Sequence, residues 1–89
     1  MNFNVGVIGL GMIGESMLAE FIKHPSFTVT AAWDLNPAIN SQIASKYPQV
    51  KMAQDATAII ENPDIQLIYI ATPPVTHVDY GLQVATAQK

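Results

Sequence analysis

Short, almost continuous apolar runs alternate along the chain with stretches in which apolar residues recur at helical spacing. This alternation is typical of β-α-β units, whose parallel strands are covered by helices on both faces. We predict four strands, at residues 3–9, 27–33, 50–53 and 65–71. We predict helices at residues 12–23, 37–47, 56–61 and 75–87.

The first predicted helix has an apolar face, formed by Ile13, Met17, Leu18, Phe21 and Ile22. The second is expected to begin at Asn36-Pro37, because asparagine is a good N-cap and proline suits the first helical position. With right-handed crossovers, the element order predicts an α/β fold with a doubly wound parallel sheet, strand order 3-2-1-4 and two helices on each face.

A glycine loop joins the first strand to the first helix, in the pattern G-x-G-x-x-G. It consists of Gly9, Leu10, Gly11, Met12, Ile13 and Gly14. The first glycine permits a tight turn, the second lets the backbone approach a pyrophosphate, and the third lets the helix pack closely on the strand. The strand–turn–helix context that this motif requires is present, so the loop predicts dinucleotide binding in a Rossmann-like fold.

Asp34 ends the second strand, twenty residues after Gly14, and Leu35 follows it. A carboxylate at this position can accept hydrogen bonds from the adenosine ribose hydroxyls. The alternative is an ordinary turn residue ahead of Asn36. The carboxylate would repel a 2′-phosphate, and no lysine or arginine follows nearby, so NAD is favoured over NADP. Glu15, in the first helical turn, is expected to point to solvent.

Residues 64–77 (DIQLIYIATPPVTH) carry the most specific pattern in the chain. This segment resembles the glucose–fructose oxidoreductase, inositol dehydrogenase and rhizopine-catabolism dehydrogenase family, abbreviated Gfo/Idh/MocA. Members have a strand ending in a T-P-x-x-x-H-like segment, matched here by Thr72, Pro73 and His77. With the glycine loop and Asp34, the resemblance covers essentially the whole chain.

The resemblance implies that Ala71, Thr72 and Pro73 line the cofactor crevice. For His77 two roles remain open: a histidine bonded to nearby backbone, or one that contacts the cofactor. In the family, a Glu-Lys-Pro-like motif supplies a lysine near the nicotinamide, and a second domain supplies the substrate pocket. Neither occurs in residues 1–89, so we expect a dinucleotide-binding domain without catalytic residues, truncated before strand 5 and lacking the substrate domain.

The resemblance further implies hydride transfer between a nicotinamide cofactor and a carbohydrate or polyol substrate in the full-length protein. The alternative is a non-enzymatic sensor that binds the dinucleotide and regulates a partner. An open fourth strand would be a template for pairing, so we expect a homodimer.

Charge and composition argue against several other classes of partner. The net charge is −3, with four lysines and no arginine, so we expect neither nucleic acid nor an anionic membrane as a partner. Without cysteine, the chain has no thiolate metal site or cysteine nucleophile, and we expect no metal. The N-terminus lacks the basic start and apolar run of a signal peptide, so a cytoplasmic location is expected.

Overall fold

The computed structural model of the chain describes residues 2–71, which form a parallel sheet with helices on both sides. The strands are β1 (Phe3–Ile8), β2 (Phe27–Trp33), β3 (Lys51–Met52) and β4 (Leu67–Ile70). The helices are α1 (Met12–Lys23), α2 (Pro37–Lys46) and α3 (Ala56–Ile60). The helix predicted over residues 75–87 lies outside the described residues.

The strand order is β3-β2-β1-β4, and every neighbouring pair is parallel, as the sequence predicts. After β1 the chain builds the sheet outward through β2 and β3, and it then returns to place β4 on the other side of β1. The point where the order reverses therefore lies between β1 and β4. In doubly wound sheets, ligands bind in the crevice at the carboxyl ends of the strands at this point.

The sheet separates two apolar clusters, one on each face. Val5 and Val7 of β1 pack with Leu18 of α1 and Ile43 of α2 on one face. Ile8 packs with α3 on the other face, where it meets Ile59, Ile60 and Ile65. Consecutive side chains of β1 alternate between the clusters because strand residues point to opposite faces in turn. β1 is an interior strand with β2 and β4 on its two sides, and its carboxyl end leads directly into the glycine loop.

Two strands are shorter than predicted by two or three residues, and β1 ends one residue early, at Ile8. β3 is only Lys51–Met52, and β4 begins at Leu67 rather than at residue 65. Val50 and Ile65 are nevertheless buried, with exposures of 5% and 1%. An apolar run in the sequence indicates only that its residues are buried. Val50 and Ile65 are buried but lie just outside the strands, because a strand also requires hydrogen bonds to a neighbouring strand. The predicted bounds of these two strands were therefore wrong.

The apolar face predicted for α1 is correct except at its start. Leu18 is fully buried, and Phe21 and Ile22 pack against the same cluster. Ile13, by contrast, is 67% exposed. The first turn of α1 approaches the end of β1 through the buried Gly14, so the residue before it points away from the sheet. The prediction that Ile13 belongs to the buried face was wrong.

Within residues 2–71, the longest helix is the twelve-residue α1, and no helix has the length and apolar character needed to cross a bilayer.

Candidate dinucleotide-binding site

The first and third glycines of the loop are required by the fold itself. Gly9 has a φ of 96°, a left-handed conformation that residues with a side chain rarely adopt. Gly14 faces Gly9 so closely that a Cβ atom on Gly14 would overlap the Gly9 carbonyl oxygen and lie 2.7 Å from its carbon. These two glycines allow the chain to leave β1 sharply and to start α1 directly against the strand end.

The packing of the described residues gives no such reason for a glycine at position 11. Its φ and ψ of −67° and −164° describe extended backbone that other residues also adopt. A Cβ atom there would lie within 4 Å of no heavy atom among the described residues outside its chain neighbours. The space beside Gly11 therefore suits the close approach of another molecule, the role that the motif gives to its second glycine.

Gly11 is also the N-cap of α1, and no side chain caps this helix end. The first N–H groups of an α-helix have no acceptor within the helix, and the helix dipole adds partial positive charge there. An anion at this position would accept those N–H groups. The residues of the loop thus fit a pyrophosphate in shape and in charge.

The Asp34 carboxylate is held by two backbone N–H groups. One oxygen accepts from Leu10 N at 2.7 Å, and the other accepts from Asn36 N at 2.8 Å. The bond from Asn36 N forms the turn that was the alternative interpretation of Asp34. The bond to Leu10 joins the carboxylate to the glycine loop. An ionised carboxylate has about four acceptor positions, so each oxygen can still accept a ligand hydroxyl.

Asn40 makes a second set of contacts with Asp34, which the sequence reasoning missed. Its Oδ1 accepts from Asp34 N at 2.9 Å, and its Nδ2 donates to Asp34 O at 2.8 Å. The only signal in the sequence is an asparagine in the first turns of α2, where asparagine is a poor helix former.

Two large apolar side chains of the loop, and one that follows Asp34, remain exposed: Met12 at 90%, Ile13 at 67% and Leu35 at 82%. Met12 and Ile13 begin α1 just after β1, and Leu35 follows the carboxyl end of β2. Ala71 follows β4 at the same edge, and its N–H donates to Ile8 O at 2.8 Å. Thr72, Pro73 and His77, predicted to complete the crevice, lie outside the described residues.

Glu15 does not point freely into solvent as predicted. Its carboxylate accepts from Lys46 Nζ at 2.6 Å and from the Tyr47 hydroxyl at 3.4 Å. The hydrogen bond from Lys46 lowers the pKa of Glu15 below 4.5, and the same bond raises the pKa of Lys46 above 10.5. Lys46 ends α2, so the pair joins the start of α1 to the end of α2.

Residues 3–89 match the family described as "Oxidoreductase family, NAD-binding Rossmann fold", GFO_IDH_MocA. The chain belongs to the Gfo/Idh/MocA oxidoreductases. The resemblance carried by the glycine loop, Asp34 and the T-P-x-x-x-H-like segment is thereby confirmed, as is NAD as the cofactor of the family.

Two dehydrogenases are among the relatives that match nearly the whole chain. Levoglucosan dehydrogenase of Pseudarthrobacter phenanthrenivorans is 29% identical over 96 residues, covering 99% of this chain and 25% of the relative. Inositol 2-dehydrogenase of Acidothermus cellulolyticus is 28% identical over 88 residues, covering 96% of this chain and 25% of the relative. The chain thus spans about a quarter of the length of these two Gfo/Idh/MocA relatives.

The fold is also that of biliverdin reductase from Synechocystis, solved with biliverdin and NADP⁺. That structure has a TM-score of 0.92 at 24% identity, over 98% of this chain and 27% of its own chain. The same backbone therefore accompanies NADP⁺ in another protein. The choice between NAD and NADP must rest on side chains rather than on the fold.

Proposed function

We propose that residues 1–89 form the NAD(H)-binding domain of a dehydrogenase acting on a sugar or polyol. The two relatives are named for levoglucosan and inositol, ring compounds that carry several hydroxyl groups. In the full-length enzyme, the bound nicotinamide would exchange hydride with a carbon that bears one of these hydroxyls. This chain would supply the binding and orientation of the cofactor, with the substrate domain supplied by another part of the protein.

The observation that carries the proposal is the position of the Asp34 carboxylate. It accepts from Leu10 N within the glycine loop, so the proposed ribose acceptor is hydrogen-bonded directly to the proposed pyrophosphate loop. Gly11 supports the same conclusion, because the packing of the described residues does not require a glycine there. In this arrangement the helix N–H groups would hold the pyrophosphate, and Asp34 would accept the ribose hydroxyls. The exposed Met12, Ile13 and Leu35 would cover apolar faces of the cofactor.

Asp34 also underlies a preference for NAD over NADP. A 2′-phosphate placed near a carboxylate that is already fixed by two N–H groups would meet like-charge repulsion. No cationic side chain stands next to Asp34 in the sequence to offset this repulsion.

Calorimetric titration of the chain with NAD⁺ and with NADP⁺ tests the proposal. We expect NAD⁺ to bind at least about tenfold more tightly, equivalent to about 1.4 kcal/mol. Replacing Asp34→Ser together with Leu35→Arg should reverse the order, because it removes the carboxylate and adds a phosphate-binding guanidinium. Tighter binding of NADP⁺ by the unmodified chain would contradict the preference, and binding of neither would contradict the function.

Three further expectations belong to the proposal. The chain alone should show no turnover with sugars or polyols, because a Glu-Lys-Pro-like motif does not occur in its sequence. A homodimer is expected, joined along β4 or by exchange of the last predicted helix, since among residues 2–71 β4 pairs only with β1. The alternative is a monomer in which the last predicted helix covers the edge of β4. Light scattering at several concentrations tests the dimer. A cytoplasmic location stays a prediction from the N-terminal sequence.

A further inference from the structure

We infer that Asn40 is a positioning residue for the cofactor ribose, because its side chain replaces the missing end of β3 and holds Asp34 in place. The inference rests on the proposed NAD binding. It adds a residue outside the glycine loop and outside the aspartate position that the sequence motif identifies.

Successive residues at the end of β2 direct their backbone groups to different neighbouring strands. In a strand, the N–H and C=O groups of successive residues point alternately to the two neighbouring strands. Ala32 points to β3, where its carbonyl accepts from Ala53 N at 2.9 Å. Trp33 points to β1, where its carbonyl accepts from Gly9 N at 2.8 Å. The next residue, Asp34, must therefore direct both of its backbone groups toward the β3 side.

β3 cannot meet them, because it pairs with β2 only through Lys51 and Met52, opposite Ala31 and Ala32. The Asn40 amide occupies the position that a longer β3 would fill. It offers one acceptor and one donor, at 2.9 and 2.8 Å, to the N–H and the carbonyl of Asp34. A carboxamide reproduces the donor and acceptor of a backbone peptide, so the ladder is extended by one residue without a strand.

The amide comes from a well-fixed helix start. Asn36 caps α2 by accepting from Ala38 N at 3.0 Å, and Asn40 N donates to Asn36 O at 3.2 Å one turn later. Asp34 is thus held at four points, two on its backbone by Asn40 and two on its carboxylate by Leu10 N and Asn36 N. The backbone contacts set where the carboxylate stands, and the carboxylate contacts set its rotation.

Loss of Asn40 should therefore act on the ribose site through Asp34. In Asn40→Ala, the helix gains propensity, but the Asp34 peptide groups lose both partners. We expect affinity for NAD⁺ to fall by about fivefold to tenfold, the size of one or two net hydrogen bonds. Affinity for NADP⁺ should fall less, since a displaced Asp34 carboxylate repels the 2′-phosphate less. The ratio of the two affinities is a readout that general destabilisation would not change.

A double-mutant cycle separates positioning from a direct or a general effect. We expect Asn40→Ala to change NAD⁺ affinity less than about twofold when Asp34→Ala is already present, because the coupled pair then has no carboxylate to position. Gln42→Ala is the matched control, because it removes an exposed side-chain amide from the same helix. It should leave the affinity for NAD⁺ and the ratio of NAD⁺ to NADP⁺ affinities unchanged. Equal losses with and without Asp34 would overturn the inference.

Hydrogen exchange in the ligand-free chain provides a test that needs no cofactor. The Leu10 amide is bonded to the Asp34 carboxylate, so its protection reports whether Asp34 is in place. We expect Asn40→Ala to speed exchange at Leu10, and Gln42→Ala to leave it unchanged. If Leu10 protection is unaltered in Asn40→Ala, the positioning role is wrong. If the unmodified chain binds no NAD⁺, the proposed function fails, whereas NAD⁺ binding that Asn40→Ala does not alter defeats this inference alone.

Discussion

The interior of the sheet and the carboxyl edge of its central strands differ in which side chains are buried and which are exposed. In the interior, Val5, Val7 and Ile8 are fully buried, and the described residues bury no polar or charged side chain. At the edge, Met12 and Leu35 are almost fully exposed, while the side chain of Asp34 holds a backbone N–H of the glycine loop. Packing explains the first region and leaves the second unexplained. The edge is therefore the region where we propose that the dinucleotide binds.

The largest expected effect concerns Gly14, which the fold requires, in contrast to Gly11, for which we propose a role in binding. Gly14→Ala should destabilise the fold by about 3 kcal/mol, because the new methyl group would overlap the backbone of Gly9 rather than a movable side chain. Thermal unfolding by circular dichroism measures this loss. A variant that melts with the parent chain would show that α1 does not depend on this close approach.

Gly11→Val tests the opposite expectation at the neighbouring glycine. The fold should lose only about 1 kcal/mol, since the side chain meets open space and the remaining cost is that of replacing glycine by valine at an N-cap. NAD⁺ affinity should fall by at least about a hundredfold, or about 2.7 kcal/mol. Gly11→Ala is the matched control and should give an intermediate loss by calorimetry. Unchanged NAD⁺ binding in the valine variant would reduce the loop to a structural turn.

Leu35→Ser addresses the exposed apolar side chains of the edge. At 82% exposure, Leu35 contributes little to the core, so the free energy of unfolding should change by less than about 0.5 kcal/mol. If this side chain covers an apolar face of the cofactor, NAD⁺ affinity should fall about threefold to tenfold. Leu35→Met preserves apolar area and should bind as the parent does. Equal affinities for the serine and methionine variants would remove Leu35 from the site.

The smallest effect concerns the Glu15–Lys46 ion pair, which lies beside the site but on the surface. Glu15 has a pKa below 4.5 in the folded chain, so its contribution to stability is present above that value and is lost as the pH falls through the folded pKa. Lys46 has a pKa above 10.5, so its contribution is present below that value and is lost as the pH rises through the folded pKa. The pair stabilises between these limits.

Lys46→Met should therefore lower the Tm slightly at neutral pH and have a smaller effect in acid, below the folded pKa of Glu15, where the carboxylate is protonated. The effect should also shrink at about 1 M salt, because Lys46 is 64% exposed and the pair is screened. Melting curves of both chains under the three conditions provide the measurement. A deficit that is independent of pH and salt would mean that the methylene stem of Lys46, and not its charge, stabilises the junction.

The sequence by itself determined the order of the sheet and the location of the candidate site. Alternating apolar runs and helical spacing led to β3-β2-β1-β4, because parallel strands and right-handed crossovers leave few arrangements. The glycine loop and Asp34 were placed at the ends of adjacent strands by their spacing alone. These features depend on local patterns of burial and on backbone rules that act over a few residues.

Only the tertiary structure decided which side chains complete that site. The contact between Glu15 and Lys46 joins residues 31 apart, and the bond from Leu10 to Asp34 spans 24. The Asn40 side chain bonds the backbone of Asp34 at a point that β3 does not reach. The length of β3 is set by its ladder hydrogen bonds and not by the apolar run in the sequence. Periodicity reports whether a residue is buried, whereas its partner depends on the register and on how each element ends. Those quantities exist only once the strands and helices are assembled.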